Sequence, residues 1–420
     1  MRERRLRKAS TILLTGGTGF IGSHIAVELL RRGYRVILLV RPTRQQSARV
    51  RVERLFRWLG LDLGKAPQLQ VIEAYVDRPG FGLDKGLYDS VACQTDEIIH
   101  CASNTSFSER KRAEVETVNI EGLRHVLDFA GKSRCCFFHH MSTAYVAGRR
   151  KGLCKEEQVE TRTFTNVYEE TKYQGEQMIS QVCHDQGIRL NIYRPSIVYG
   201  DSKTGRTLRF NALYYPIRTV LFFRNLFEND IKEKDGKKAG QMGVKMDGHG
   251  SICLPIRIEA EEKGGINLIP IDFLVAAFLE IMDTCLEGGL FHIVGHKPTT
   301  VRELVDYTRR FFNVDGIEAV YPGTLNATPR NSLEILFDDY IEAYRPYMMD
   351  TRIFENGKAK AVLAQKNIAC PDFDFEMFAR CMNYAVESEW GQKPLKYENP
   401  EKSGGDILYP SCQQGDGSVL

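Results

Sequence analysis

Apolar positions in the first forty residues fall into two patterns. The run T-I-L-L at 11–14 is continuous, as in a strand buried on both faces, whereas Ile21, Ile25 and Leu29 recur at helical period. Residues 35–40 (R-V-I-L-L-V) form a second continuous run, with Gly33 closing the helix before it. This is a βαβ unit, and the alternation continues. Strands are predicted over 68–76, 97–100, 135–141 and 188–193, and a helix over 118–130. The pattern predicts an α/β protein: a Rossmann-type, doubly wound parallel sheet with right-handed crossovers. From Asp201 the periodicity loosens. Residues 228–250, rich in Lys, Asp and Gly with few apolar anchors, read as a mobile surface excursion. Order returns in strands at 254–258 and 266–273, the second running into a helix over 273–285. Amphipathic runs at 300–312, 332–344 and 375–390 then predict a smaller, mostly helical C-terminal lobe. The expected division is a cofactor-binding domain over 1–200 with sheet elements also from 250–285, a substrate lobe over 201–390, and a polar, disordered tail over 391–420.

Composition narrows the function classes. A net charge of +3 on 420 residues, with no long block of one sign after the basic start, argues against nucleic acid as a partner. Eleven scattered cysteines, odd in number and never spaced C-x-x-C, argue against a disulfide framework or a zinc site and fit a reducing compartment, the cytoplasm. Residues 1–10 are charged and too short to hold an apolar targeting segment. The most apolar later stretch, 213–227, is broken by Pro216, Arg218 and Arg224 and falls short of a membrane span. His139 and His140 are adjacent on a strand, so they point to opposite faces and cannot chelate one metal together. No metal is expected.

Candidate chemistry begins at the first turn. Gly16, Gly19 and Gly22 stand at three-residue spacing between strand and helix, where the backbone can turn sharply and helix N–H groups can hold a pyrophosphate. Spelled T-G-G-T-G-F-I-G, the turn resembles that of the extended short-chain dehydrogenase/reductase family. The resemblance implies that Thr18, Phe20 and Ile21 join these glycines around a dinucleotide. At the end of the second strand, where a carboxylate would bond a ribose 2′-hydroxyl, the chain has Arg41 and Arg44 instead, and no acid until Glu53. Paired guanidiniums suit a 2′-phosphate, so NADP (NADPH) is the expected cofactor. Ala102 and Ser103, small residues after the fourth strand, let the dinucleotide pass close. The family's pattern further implies that Asp77 lies beside the adenine, that Asn119 of the V-N-x-x-G opening belongs to the site, and that Pro195 and Ile197 in R-P-S-I-V-Y-G line the cofactor.

Tyr168 and Lys172 in Y-E-E-T-K stand four apart, hence on one face of a helix. A carbonyl that accepts hydride needs a proton on its oxygen, and a phenol supplies one poorly near neutral pH unless a cation lowers its pKa. Lys172 is the expected cation and also a ribose ligand. The S-T-A run after the fifth strand supplies the group that orients the carbonyl. By the resemblance this is Thr143, with Ser142 as its neighbour at the cofactor. Further runs, L-L-V-R at 38–41, I-I-H-C-A at 98–102, R-P-S-I-V-Y-G-D-S-K-T-G at 194–205 and N-L-I-P-I-D at 267–272, make the chain look most like the thioester reductase and fatty acyl-CoA reductase branch, the male-sterility-type domain. This implies an NADPH-dependent oxidoreductase that takes a small-molecule or carrier-bound acyl thioester to an aldehyde, or onward to an alcohol. A nucleotide-sugar epimerase or dehydratase and a non-catalytic dinucleotide sensor are the alternatives on the same scaffold. The runs L-Y-Y-P-I at 213–217 and V-L-F-F at 220–223 read either as buried core or as the wall of an acyl tunnel. The oligomeric state stays open, a homodimer included.

Overall fold

A computed structural model describes residues 10–393; the expected tail lies almost wholly outside this range. Seven parallel strands form the central sheet. They are β1 (Thr11–Thr15), β2 (Arg35–Val40), β3 (Leu69–Glu73), β4 (Glu97–His100), β5 (Phe137–Met141), β7 (Arg189–Pro195) and β12 (Gly289–Ile293), in the order β12-β7-β5-β4-β1-β2-β3. Their continuous apolar runs follow from burial on both faces. One face is covered by α1 (Phe20–Arg31), α2 (Ala48–Trp58) and the later α9 (Ile271–Thr284), the other by α3 (Lys85–Gln94), α5 (Gly122–Lys132) and α6 (Val167–Asp185).

The predicted helix over 118–130 is part of a longer helical stretch. α4 (Arg112–Glu116) passes through a π turn (Thr117–Glu121) into α5. Asn119 in that turn is buried, and such a distortion is common at functional sites.

Two expectations about chain division change. The later chain contributes β12 and α9 to the main domain, whereas the strands within 250–285 serve other ladders. β10 (Ile252–Glu259) pairs in parallel with β13 (Val314–Val320) and antiparallel with β9 (Lys245–Met246), and β11 (Leu268–Pro270) pairs with β8 (Ile197–Tyr199). The segment 228–250 carries the end of α7 (Tyr214–Glu233), the short α8 (Lys237–Gln241) and β9, so it is regular structure. Its anchors are few but specific: buried Asp230 accepts from the Ala239 N–H at 2.9 Å, and Ala239 and Val244 enter the core of the second lobe. That lobe adds α10 (Val301–Phe312), α11 (Ser332–Ile341), α12 (Arg345–Met348) and α14 (Phe375–Glu387) around its small sheet. Between the last two, β14 (Arg352–Phe354) pairs with β6 (Gly152–Cys154), and α13 (Gly357–Ala364) returns to pack on the main domain.

Candidate active site

The glycine turn is built for close approach. Gly16 has φ +76°, and a Cβ there would stand 2.6 Å from the Ala102 backbone nitrogen; a Cβ on Gly22 would run into the Gly16 carbonyl. Gly19 starts α1 with no side-chain cap and no acid in the first turn, leaving the helix N–H groups free for an anion. Thr15 accepts from the Ala102 N–H at 3.3 Å, tying the ends of β1 and β4 together across the turn.

At the end of β2, Arg41 and Arg44 are exposed. Beside them stands a residue that no motif in the sequence singles out. Arg51 of α2 donates to the Thr18 hydroxyl at 3.2 Å and to the Arg41 carbonyl, bridging the glycine turn and the strand end. Burial, then the like charge of Arg41, holds this guanidinium below its usual range. Two cations gathered without an acid make a place for a doubly charged phosphate. Asp77, past β3, has a buried carboxylate oxygen with no hydrogen-bond partner. An unpaired buried acceptor calls for a donor from a ligand. With the cradle at Gly16, these features fit an NADP dinucleotide.

Of the remaining predicted residues, all but Ala102 and Asn119 line one cavity of about 570 Å³, and Ala102 packs against the glycine turn. Its lining includes Gly19, Phe20, Ile21 and Gly22 of the turn and α1, Ser103 after β4, Ser142 and Thr143 after β5, Tyr168 and Lys172 of α6, and Pro195 and Ile197. Asn119 stands behind this lining. Its side-chain oxygen accepts from Ser103 at 3.1 Å and from the Asn104 N–H at 2.7 Å, and its amide donates to Thr171 at 2.9 Å, joining the loop after β4 to α6.

Asn166 caps α6 through the Glu169 N–H at 3.0 Å and fixes the first turn, which carries Tyr168. Thr143 and the Tyr168 phenol line the same cavity. Burial pushes this phenol up; Thr143 opposes the shift and the Glu169 carboxylate adds to it. Lys172 is not among the groups that act on the phenol, contrary to the expected lowering. Its ammonium instead donates to the Met141 carbonyl at 2.6 Å, and burial pulls its pKa down to about 8 against the opposing charge of Glu176. Glu176 is itself held by buried Arg194 at 2.6 Å and receives the Ser142 hydroxyl, so the end of β5 is braced from below.

His139 and His140 do point apart. His139 contacts Glu97 and Tyr193 at 3.2 and 3.0 Å, whereas His140 stacks on His100 with ring centroids 5.6 Å apart. The aromatic supply at 213–223 divides. Leu213 and Tyr215 line the cavity, but Tyr214 is buried with its hydroxyl accepting from the Gly200 N–H at 3.0 Å, and Phe222 is 48% exposed against Tyr340. The rest of the wall comes from side chains far apart in sequence, the aromatics Phe107, Tyr145, Tyr344 and Tyr347 together with polar Thr105, Ser106, Ser108 and Asn211, with Arg209 as a second cation and no carboxylate among the described residues of the wall. Proximity in space alone selects these, and no local motif marked them. Tyr347 donates to the buried Glu169 carboxylate at 2.7 Å, linking α12 to the first turn of α6.

Comparison with known proteins agrees with this geometry. The family model described as male sterility protein, an NAD-binding domain, matches residues 14–278. A linear gramicidin synthase chain of Brevibacillus parabrevis is 22% identical over 392 residues, 89% of this chain and 7% of that protein. The L-2-aminoadipate reductase of Penicillium chrysogenum is, in its large subunit, 26% identical over 225 residues, 49% of this chain and 16% of that protein. This chain thus spans a small part of these curated relatives. Among solved structures, the terminal R domain of the myxalamid PKS-NRPS pathway superposes with a TM-score of 0.70 at 21% identity, covering 92% of each chain, a likeness of fold. Among the described residues no helix is long and apolar enough to cross a membrane. The family match runs over more than half of the sequence and takes in the glycine turn, Thr143, Tyr168 and Lys172, and on that basis the chain belongs to the male sterility protein family of NAD(P)-dependent oxidoreductases, within the extended short-chain dehydrogenase/reductases.

Proposed function

We propose that the protein is an NADPH-dependent reductase of acyl thioesters, yielding an aldehyde, and that it works in the cytoplasm on a thioester of coenzyme A or of a carrier protein. The observation that carries the reading is the convergence of Thr143, Tyr168 and Lys172 on the cavity that the glycine turn also lines. Arg41 and Arg51 support the 2′-phosphorylated cofactor, which would lie with its pyrophosphate at α1, its adenine beside Asp77 and its nicotinamide against Pro195 and Ile197. When bound, NADPH supplies the hydride. Thr143 and Tyr168 bond the thioester oxygen and place the carbonyl carbon; the phenol passes its proton to the developing oxyanion, giving a hemithioacetal. Collapse of that adduct re-forms C=O, breaks the C–S bond and releases the thiol. Burial keeps Tyr168 protonated until the oxyanion forms, and Lys172 orients the ribose.

The cavity also carries hydroxyl and amide groups that a nucleotide sugar could bond, Thr105, Ser106, Ser108 and Asn211 among them, so the test must include such sugars. A binding-only sensor would have no use for the Thr143–Tyr168 pair. The test is NADPH oxidation by the full chain against a panel of acyl-CoAs and UDP-sugars, with trapping of the aldehyde. Oxidation with acyl-CoA and one aldehyde or alcohol per thiol released is expected; stoichiometry of NADPH to thiol separates aldehyde from alcohol as the end product. Conversion of UDP-sugars alone overturns the reading.

A further inference from the structure

The two-stranded ribbon of β6 and β14 leaves one face uncovered. Cys154 and Phe354 turn inward and are buried, whereas Leu153 and Ile353, register partners across the ladder, are 57% and 62% exposed. They are the two most exposed large apolar side chains among the described residues, and they share one rung. Single exposed apolar residues need no explanation, but a cross-strand pair is a patch that something covers. Cations surround it. Lys151 and Lys155 lie two positions either side of Leu153, the spacing that shares one side of an extended chain, and both are exposed.

A cleft of about 270 Å³ adjoins the ribbon, with Arg149, Arg150, Lys151 and Arg352 in its lining. Its one carboxylate, Asp350, is paired with Arg352 at 2.8 Å. Arg149 donates from Nε to the Phe164 carbonyl at 3.0 Å, and Arg150 donates from one terminal nitrogen to the Glu160 carbonyl at 2.5 Å. Among the described residues neither guanidinium is paired with a carboxylate, nor is the Lys151 ammonium. Glu157, Glu160 and Glu355 are exposed nearby in the chain, but none of them lines the cleft. Three uncompensated cations thus converge on it, two of them forked donors suited to a phosphate. Arg352 belongs to both the cleft and β14, and Lys151 adjoins β6, so the cations and the apolar pair make one surface.

We propose that this surface docks on an anionic phospholipid bilayer, with a lipid phosphate in the cleft and Leu153 and Ile353 at the boundary between headgroups and acyl chains. Aliphatic tips set among cations match the layering of that boundary, apolar below and anionic above. A protein partner would instead be held by aromatic anchors in a pocket, and the exposed pair is aliphatic. The surface also backs onto the catalytic wall. Arg352 lies over the Tyr145 ring at 4.7 Å and donates to the Gly148 carbonyl at 2.7 Å, and Tyr145 lines the catalytic cavity. Docking therefore holds that cavity near the membrane, whichever substrate it takes, and the proposal does not depend on the thioester reading.

Sedimentation of the full chain with vesicles tests it. Binding is expected with phosphatidylcholine containing about one-third phosphatidylserine and not with phosphatidylcholine alone, and it should weaken as salt rises. Arg149→Ala, Arg150→Ala and Lys151→Ala should each lower the partition coefficient by about fivefold, and Ile353→Asp by about tenfold or more. Parent-like NADPH affinity reports that each variant is folded; if Ile353→Asp is not, Leu153→Asp decides. Sedimentation with neither vesicle, equal sedimentation with both, or folded variants that partition like the parent overturns the proposal. So does binding of glycerophosphoserine without vesicle binding, which would make the cleft a site for small anions. Saturable binding of an acidic carrier protein through these residues, again without vesicle binding, would give the surface to a protein and overturn it as well.

Discussion

Tyr168 and Lys172 divide the acid–base work by burial. The phenol is pushed up and stays protonated, while the lysine is pulled down to about 8. An ammonium is needed to bond the ribose, so kcat/KM for NADPH should fall as pH rises through about 8, since that ratio reports the free enzyme. Stability should move the other way. Lysine in the unfolded chain titrates near 10.4, so between about 8 and about 10.4 the unfolded state binds more protons and folding gains with rising pH. An activity limb set instead above the ordinary tyrosine range would assign it to Tyr168. Tyr168→Phe should cut turnover by about 10²–10⁴-fold with NADPH affinity nearly intact, measured by single-turnover oxidation and fluorescence titration. At the cofactor's other end, Arg41→Ala and Arg51→Ala should each weaken NADPH by about tenfold or more with little change for NADH, the size expected for a lost charge-assisted bond of about 1.5–3 kcal/mol. Equal losses for both cofactors would remove the 2′-phosphate from this corner. Arg41 is legible in sequence because it ends a strand. Arg51 is not, because its role depends on where α2 lies against the glycine turn.

Elements that carry their own signal are readable, and those that depend on a partner are not. β1, the turn and α1 are announced by a buried run, glycines and a helical stripe. β12 is a five-residue run, G-L-F-H-I, which becomes a sheet strand because β7 offers an open edge. β13 (V-D-G-I-E-A-V) has Asp, Gly and Glu in it and forms by pairing with β10. The helical region 228–241 lacks apolar density, and Asp230 and Ala239 hold it by position. Within the readable part, Gly22→Ala is a sharp test. Its Cβ would meet the Gly16 carbonyl, so the turn and α1 must separate, and dinucleotide binding should be lost while the far sheet edge keeps its fold. Titration of the variant with NADPH, alongside its far-ultraviolet circular dichroism, reads both outcomes; binding at parent affinity would mean that the turn relaxes at no cost.

On the scale of the whole molecule, the sequence suggests one return to the first domain at 250–285, whereas the chain returns to it again later and stitches the lobes together. After leaving the second lobe it returns through β14 and α13 to the main domain, and the stitch is fastened at Glu156. That carboxylate is 2% exposed and accepts from the backbone N–H groups of His292 at 2.8 Å, Lys358 at 2.6 Å and Ala359 at 3.3 Å. It thus joins the segment after β6, the edge strand β12 and the start of α13. Arg352 adds a second tie, donating to the Gly148 carbonyl at 2.7 Å while paired with Asp350 at 2.8 Å. No motif marks Glu156 in the sequence, because its partners are backbone groups some 130 to 200 residues away. Replacing it with alanine leaves three N–H groups without their acceptor, each worth about 1–3 kcal/mol when buried and unpaired, so a loss of at least about 2 kcal/mol is expected even if water enters. Because the carboxylate fastens the chain that returns from the second lobe to the edge of the main sheet, denaturant unfolding should remain a single transition with a lower midpoint and unchanged slope. Two separated transitions in the parent protein, with only one of them shifted by Glu156→Ala, would mean that the lobes fold independently and that the returning chain is a tether rather than a stitch.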